Sequence, residues 1–271
     1  MDEATSSATH HDDLELALAL ADEADALTLE RFLAQDLVVE TKPDLTPVTD
    51  ADRAVERLLR GHLAARRPAD AVQGEEYGAD GDPDTGRVWV LDPIDGTKSF
   101  VRGVPVWATL IALLVDGLPV VGAVSAPALG RRWWAASGAG AWTGGALVET
   151  RLIHVSSVGV IADASVSVSD RRGWAEVGRL AGFETLLEAA WRARAYGDFW
   201  SHMLVAEGAV DVAAEPELSL WDVAALVPVV EEAGGRITGW DASRCTGPTG
   251  GITTNGILHE QVLSVLAGAA S

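Results

Sequence analysis

Cysteine is all but missing: Cys245 stands alone, so no intramolecular disulfide and no cysteine-rich zinc site can form. That suits a reducing compartment, and the chain reads as cytoplasmic. Lysine is almost as scarce, because Lys42 and Lys98 are the only two and every other fixed cation is an arginine. Positive charge as a whole is short, with 20 Lys plus Arg against 40 Asp plus Glu and a formal charge of −20. Such a surface repels nucleic-acid phosphates and anionic lipid at long range. No apolar run approaches membrane-spanning length, and the start "MDEATSSATHHDD" has neither the basic residues nor the apolar core of a signal peptide. Nucleic acid and membrane are both set aside as partners.

What remains is an ordinary globular composition, with 271 residues and 48% apolar side chains to build a sizeable core. Past a tail expected to be disordered over residues 1–12, "LELALALADEADALTLERFL" predicts a long helix buried along one side. "TDADRAVERLLRGHLAARRP" predicts a second, with Thr49 and Asp52 at capping-box spacing and Pro68 after its end. The period then changes. "RVWVLD" reads as a buried strand, and "WATLIALLVDGLPVVGAVSAP" as two strands joined at Asp116-Gly117. From about residue 160 strands and helices alternate, with "GWAEVGRLAGF", "DFWSHMLVAEGA" and "WDVAALVPVVEEAGG" as the helices. The expectation is one α/β layered domain over residues 1–271. A helix-plus-antiparallel-sheet half covers about 13–160 and an α/β half about 161–271.

The chemistry gathers where elements end. In "WVLDPIDGTKSF" the chain leaves a strand through Asp92 and Asp95, with Pro93 fixing φ and Gly96 permitting a tight turn, so both carboxylates can face one point. Asp-Pro and Asp-Gly are also common turn pairs, and by itself the stretch reads equally well as a turn. "QGEEYG" adds Glu75 and Glu76 in a connection, and "LSLWDVAAL" adds Asp222 at a helix start, where a cap is the simpler role. Together, several acids at element ends fit a shared site for a hard divalent cation.

"GEEYG", "WVLDPIDGTKSF" and "LWDVAAL", in this order and spacing, resemble the signatures of the inositol monophosphatase family, Mg²⁺-dependent phosphatases with an αβαβα sandwich fold. The resemblance implies Glu75, Asp92, the backbone carbonyl of Ile94, Asp95 and Asp222 as ligands of two or three Mg²⁺. It implies Gly96 and Thr97 as phosphate contacts, Asp50 and Thr97 as positioners of the attacking water, and Glu75 as a catalytic group as well. Lys98 and Ser99 stand where many relatives have threonine and asparagine, a change at the rim rather than at the metals. Family members usually form homodimers. The Asp-x-Asp-Gly-Thr nucleophile of haloacid-dehalogenase-type phosphatases is a competing pattern, but there the aspartates are two apart and here they are three apart.

Within the family, "RARAYGDFWSHMLVAEGAVDVAAEPELSLWD" most resembles the histidinol-phosphatase branch, which implies L-histidinol phosphate as the substrate, in histidine biosynthesis. Asp198 and Glu215 add negative charge on the leaving-group side, where an amine or imidazolium gains charge-assisted hydrogen bonds. Arg194 is a further substrate contact or an ion-pair partner of Asp198 or Glu215, and Lys98 screens the phosphate or shapes the mouth. Trp107 is a candidate for the pocket wall, and the histidines show no ligand spacing. The alternatives are an inositol-1-monophosphatase or other monophosphatase of the same fold, and a non-enzymatic binder of divalent metal.

Overall fold

The computed structural model describes residues 3–82, 86–169, 171–245, 247 and 249–268. The first half comprises α1 (Glu3–Arg31), β1 (Val39–Thr41), β2 (Pro47–Thr49), α2 (Asp50–Arg66), β3 (Ala71–Gly74), β4 (Gly78–Asp80), β5 (Arg87–Asp95), α3 (Thr97–Val101), β6 (Ala108–Val115), β7 (Leu118–Ala126), β8 (Arg131–Ala136), β9 (Ala141–Gly144) and β10 (Arg151–Leu152). The second half comprises β11 (Ser165–Val168), α4 (Arg171–Glu176), α5 (Leu180–Ala189), β12 (Arg192–Arg194), α6 (Asp198–Ala206), β13 (Val212–Leu218), α7 (Leu220–Val223), α8 (Leu226–Glu232), β14 (Arg236–Gly239), β15 (Thr249–Thr254) and α9 (His259–Leu266).

An eight-stranded sheet in the order β10-β9-β8-β7-β6-β5-β3-β4 is antiparallel except where β3 runs parallel to β5. The five-stranded sheet has the order β12-β11-β13-β15-β14, with parallel pairs at β11. Alternation along the central strands explains the layering, since successive side chains leave opposite faces of a sheet. Trp89, Leu91, Ile111 and Leu113 pack with Leu16, Leu20, Val55 and Leu59 of α1 and α2. Val90, Leu110 and Ala112 face the other way, toward Phe199 and Met203 of α6 and Val229 of α8. Beyond that helical layer the small sheet packs its far face, with Val166, Val212 and Ile252, against Phe183 of α5 and Val262 of α9. This is the expected αβαβα sandwich. The hairpin of β6 and β7 is covered within the chain, so its apolar sequence reflects burial on both faces rather than a subunit interface.

Several local expectations hold and others change. Thr49 and Asp52 form the capping box of α2, and Asp116 and Gly117 both adopt positive φ in the β6–β7 turn. Helix α1 begins at Glu3, inside the stretch expected to be a tail; residues 1 and 2 lie outside the described residues. A helix anchored by buried Leu16, Ala17, Leu20 and Ala21 extends outward at little cost per residue. "GWAEVGRLAGF" is two helices, broken at Gly178 with φ +71. "WDVAALVPVVEEAGG" is also two, α7 and α8, and the junction brings the Ala225 carbonyl within 2.1 Å of where a Cβ on Gly122 would lie. Only glycine fits at that crossing.

Candidate active site

The two sheets and the helical layer between them meet at the end of β5. Asp92 follows Val90 on the face turned to the middle helices and is 2% exposed. The β5–β6 register then shifts between Asp92 and Asp95, and such an irregularity re-aims side chains. Asp95 Oδ2 accepts from the Phe199 amide of α6 at 2.7 Å, so it bridges the two halves of the chain. Asp222, third residue of α7, accepts from the Ser219 amide at 2.7 Å in a second capping box. One oxygen from each of Asp92, Asp95 and Asp222 lies within 4.8 Å of the others.

Glu75 reaches the same cavity from the connection after β3. Buried Glu56 of α2 holds that connection by accepting from the amides of Glu76 at 2.7 Å and Tyr77 at 3.2 Å. Gly74 makes room for it, since a Cβ there would come 2.0 Å from Glu56 Oε1. The Lys42 ammonium contacts Glu75 at 2.7 Å and Glu76 at 2.6 Å, and these contacts raise its pKa against the cost of its burial.

Thr97 opens α3 directly after Gly96, whose φ is +84. Its hydroxyl lies 2.9 Å from the Ile94 carbonyl and 3.2 Å from Asp52 Oδ1. Asp52, not Asp50, is therefore the carboxylate beside Thr97. The Asp50 side chain is outside the cavity wall, pairing with Arg31 at 2.9 Å and accepting from the Val38 amide at 3.1 Å. The physical reason is helical geometry: positions two apart point about 200° away from each other around the axis, so one of the two acids must face elsewhere. Thr49, by capping α2 through Asp52 Oδ2, aims the other Asp52 oxygen at Thr97.

The cavity has a volume of about 450 Å³. Its wall takes Glu75, Asp95 and Asp222 from the cluster, then Asp44, Asp198, Glu215 and Glu217, with Lys98 the one lysine or arginine among the described residues. Asp198 starts α6 with a positive φ of +50, and its Oδ2 sits 3.3 Å from where a Cβ on Gly96 would be. Glu215 is buried on β13, just before a register irregularity that runs to Leu218. Arg194 is not in this wall; exposed at the end of β12, it donates to the Ala193 carbonyl at 2.7 Å. Trp107 is also absent from it. The ring is fully buried against Phe32 and Phe100, and Trp221 lines the cavity instead. Asp44, Glu217 and His202 are wall residues that sequence reasoning did not single out. Asp52 was visible only as a cap, and its spacing of three from Thr49 was the available signal.

Burial, then the charges of Glu75, Asp95 and Asp222, push Asp92 well above the usual carboxylate range. Burial, then Asp198 and Asp222, does the same to Asp95, and burial lifts Asp222 to about 7. Asp52 rises to about 6, again mainly through burial. Asp92 Oδ1 is buried with no hydrogen-bond partner among the described residues. Convergent oxygens that resist ionisation beside one another, one of them orphaned, fit a hard divalent cation such as Mg²⁺.

The sequence profile of the inositol monophosphatase family matches residues 10–270. The chain belongs to the inositol monophosphatase family. Histidinol-phosphatase of Streptomyces coelicolor is 58% identical, across 94% of this chain and 97% of its own. Histidinol-phosphatase of Mycobacterium tuberculosis is 59% identical, across 94% and 98%. Among solved structures, an inositol monophosphatase from Zymomonas mobilis superposes with a TM-score of 0.83 at 32% identity, covering 95% of this chain and 98% of that one. As an inositol monophosphatase family member, the chain brings an acid from each of the three sequence signatures to one cavity, with the Asp50 position as the correction.

Proposed function

We propose that the protein is a Mg²⁺-dependent phosphate monoester hydrolase that converts L-histidinol phosphate and water to L-histidinol and phosphate. The observation that carries the substrate is the wall beyond the metal cluster: Asp198, Glu215 and Glu217 surround the volume left for the alcohol, so a cationic leaving group is held by charge-assisted hydrogen bonds. A neutral polyol gains less from such a wall. The similarity to histidinol-phosphatases supports the same choice.

Glu75, Asp92, Asp95, Asp222 and the Ile94 carbonyl would hold two or three Mg²⁺. When bound, these ions supply charge neutralisation, water activation and stabilisation of the leaving alkoxide. Gly96 and Thr97 line the cavity where their backbone amides can meet the phosphoryl oxygens, and the absent side chain of Gly96 permits the approach. The Thr97 hydroxyl, steered by Asp52, positions the attacking water, and Glu75 takes its proton. Lys98, across from Asp198, screens the phosphate at the mouth. Attack by water is direct, without a phosphoenzyme. We also read the protein as a cytoplasmic homodimer; Trp191, 67% exposed beside edge strand β12, is a large apolar side chain that a partner surface would cover. No helix among the described residues is long and apolar enough to cross a membrane.

The test is phosphate release with Mg²⁺ from histidinol phosphate, inositol monophosphate, fructose bisphosphate and adenosine bisphosphate at matched concentration. Histidinol phosphate is expected to have the highest kcat/KM. Better turnover of inositol monophosphate would make the protein a general monophosphatase of this fold.

A further inference from the structure

Once the carboxylates of the cavity wall are set aside, an apolar stretch remains: Phe199, Leu218, Trp221 and Leu226, with the ring of His202 among them. His202 lies one helical turn after Asp198 on α6, so both side chains share a face of the helix. The residue is fully buried. Its Nδ1 is 2.7 Å from Thr253 Oγ1 on β15, while its Nε2 has no hydrogen-bond partner among the described residues. Burial lowers the pKa of His202 to about 4, so the ring is neutral at working pH.

An unpaired buried nitrogen costs stability unless something occupies it. The candidate occupants differ in what they need. An ammonium needs carboxylates, which line the rest of the wall; an imidazole needs apolar surface against its faces and one polar partner for a ring nitrogen. The Thr253 hydroxyl can donate to Nδ1 or accept from it, so His202 Nε2 can present either an N–H or a lone pair to a neutral heteroaromatic ring.

We infer that His202 is a specificity-determining residue, whose Nε2 hydrogen-bonds the imidazole of the leaving alcohol at the apolar part of the wall that includes Phe199 and Leu218. This rests on histidinol phosphate being the substrate. The amine of the same leaving group is then left to the carboxylates, and the two ends of the alcohol are read by chemically different parts of one wall.

The test compares L-histidinol phosphate with 2-aminoethyl phosphate, which keeps the ammonium and lacks the ring, on the full Mg²⁺-loaded chain. His202→Asn places an amide at the Nδ1 position and retains the Thr253 contact, whereas His202→Gln reaches the Nε2 position. His202→Asn should raise KM for histidinol phosphate about three- to tenfold, the range of one neutral hydrogen bond, with kcat and the 2-aminoethyl phosphate constants within about twofold. His202→Gln should recover most of that loss. In the wild type, the ¹⁵N resonance of His202 Nε2 should move when L-histidinol is added to saturation, a readout that does not depend on any variant folding. Equal losses on both esters, or an Nε2 resonance unmoved by saturating histidinol, would overturn the assignment while leaving the substrate intact. A wild type that does not hydrolyse histidinol phosphate would instead overturn the substrate reading, and the role of His202 with it.

Discussion

Asp50→Asn and Asp52→Asn remove carboxylates only two positions apart, yet the structure assigns them opposite consequences. Asp52 Oδ1 lies 3.2 Å from the Thr97 hydroxyl, and a hydrogen bond to a charged acceptor contributes about 1.5–3 kcal/mol. Asp52→Asn should therefore lower kcat/KM for histidinol phosphate by roughly 10- to 150-fold, measured as phosphate release at saturating Mg²⁺. Asp50 pairs with Arg31 at a half-exposed site, where such a pair is worth about 0–1 kcal/mol, so Asp50→Asn should leave turnover within about twofold and lower stability by no more than that amount. Stability distinguishes catalysis from structure at Asp52. A carboxyl with a pKa near 6 when folded and 3.8 as the reference binds its proton more tightly in the folded chain. Its stabilising contribution is complete below pH 3.8 and is lost as pH rises through 6. The charge thus costs up to about 3 kcal/mol at neutral pH, before the Thr49 bonds are counted. In metal-free protein at pH 7.5, Asp52→Asn should accordingly leave Tm unchanged or raise it, even as activity collapses. A loss of turnover in Asp50→Asn equal to that in Asp52→Asn would refute the geometry.

Chelation should abolish turnover reversibly, and Asp92→Asn should lower kcat by orders of magnitude while raising the Tm of the metal-free protein, because it relieves the mutual repulsion of the cluster; near-normal turnover in verified metal-free enzyme would sink the metal assignment. Asp198→Asn and Glu215→Gln should each reduce kcat/KM on histidinol phosphate by roughly ten- to a hundredfold more than on a small neutral-alcohol ester, with the Mg²⁺ requirement unchanged; equal losses on both esters would remove the case for a cationic leaving group. His202, neutral and buried with a pKa of about 4 against a reference of 6.5, contributes stability that is complete above 6.5 and lost as pH falls toward 4. Acid unfolding followed by circular dichroism should therefore be shallower for His202→Gln than for the wild type between those pH values, and parallel curves would show that the histidine is not held neutral.

The acid cluster was legible in the sequence because its members sit where strands and helices begin or end, with Glu75, Asp92 and Asp95 each beside a proline or a glycine that announces the turn. Alternating apolar runs likewise revealed both layers that flank the large sheet. Less visible were features that depend on angle rather than spacing. Asp50 and Asp52 are both plausible at a helix start, and only the rotation of α2 about its axis separates them. Trp107 follows the metal signature closely in the chain but belongs to an aromatic cluster with Phe32 of the α1 end, a contact no local pattern announces. Gly178 ends a helix that apolar periodicity alone would have continued, since its positive φ cannot be inferred from the residues on either side. His202 looked like background because its partner, Thr253, is on a strand that closes over it from far along the sequence.

The left-handed backbone at Asp198 narrows the residues that this chain can carry at the start of α6. At φ +50 the residues that fit without large strain are glycine, asparagine and aspartate. Those three present the cavity with no side chain, a neutral amide or a full charge. A single substitution at this position can therefore change the charge of the cavity wall while the helix start, the Asp95 bond to the next amide and the acid cluster all stay in place.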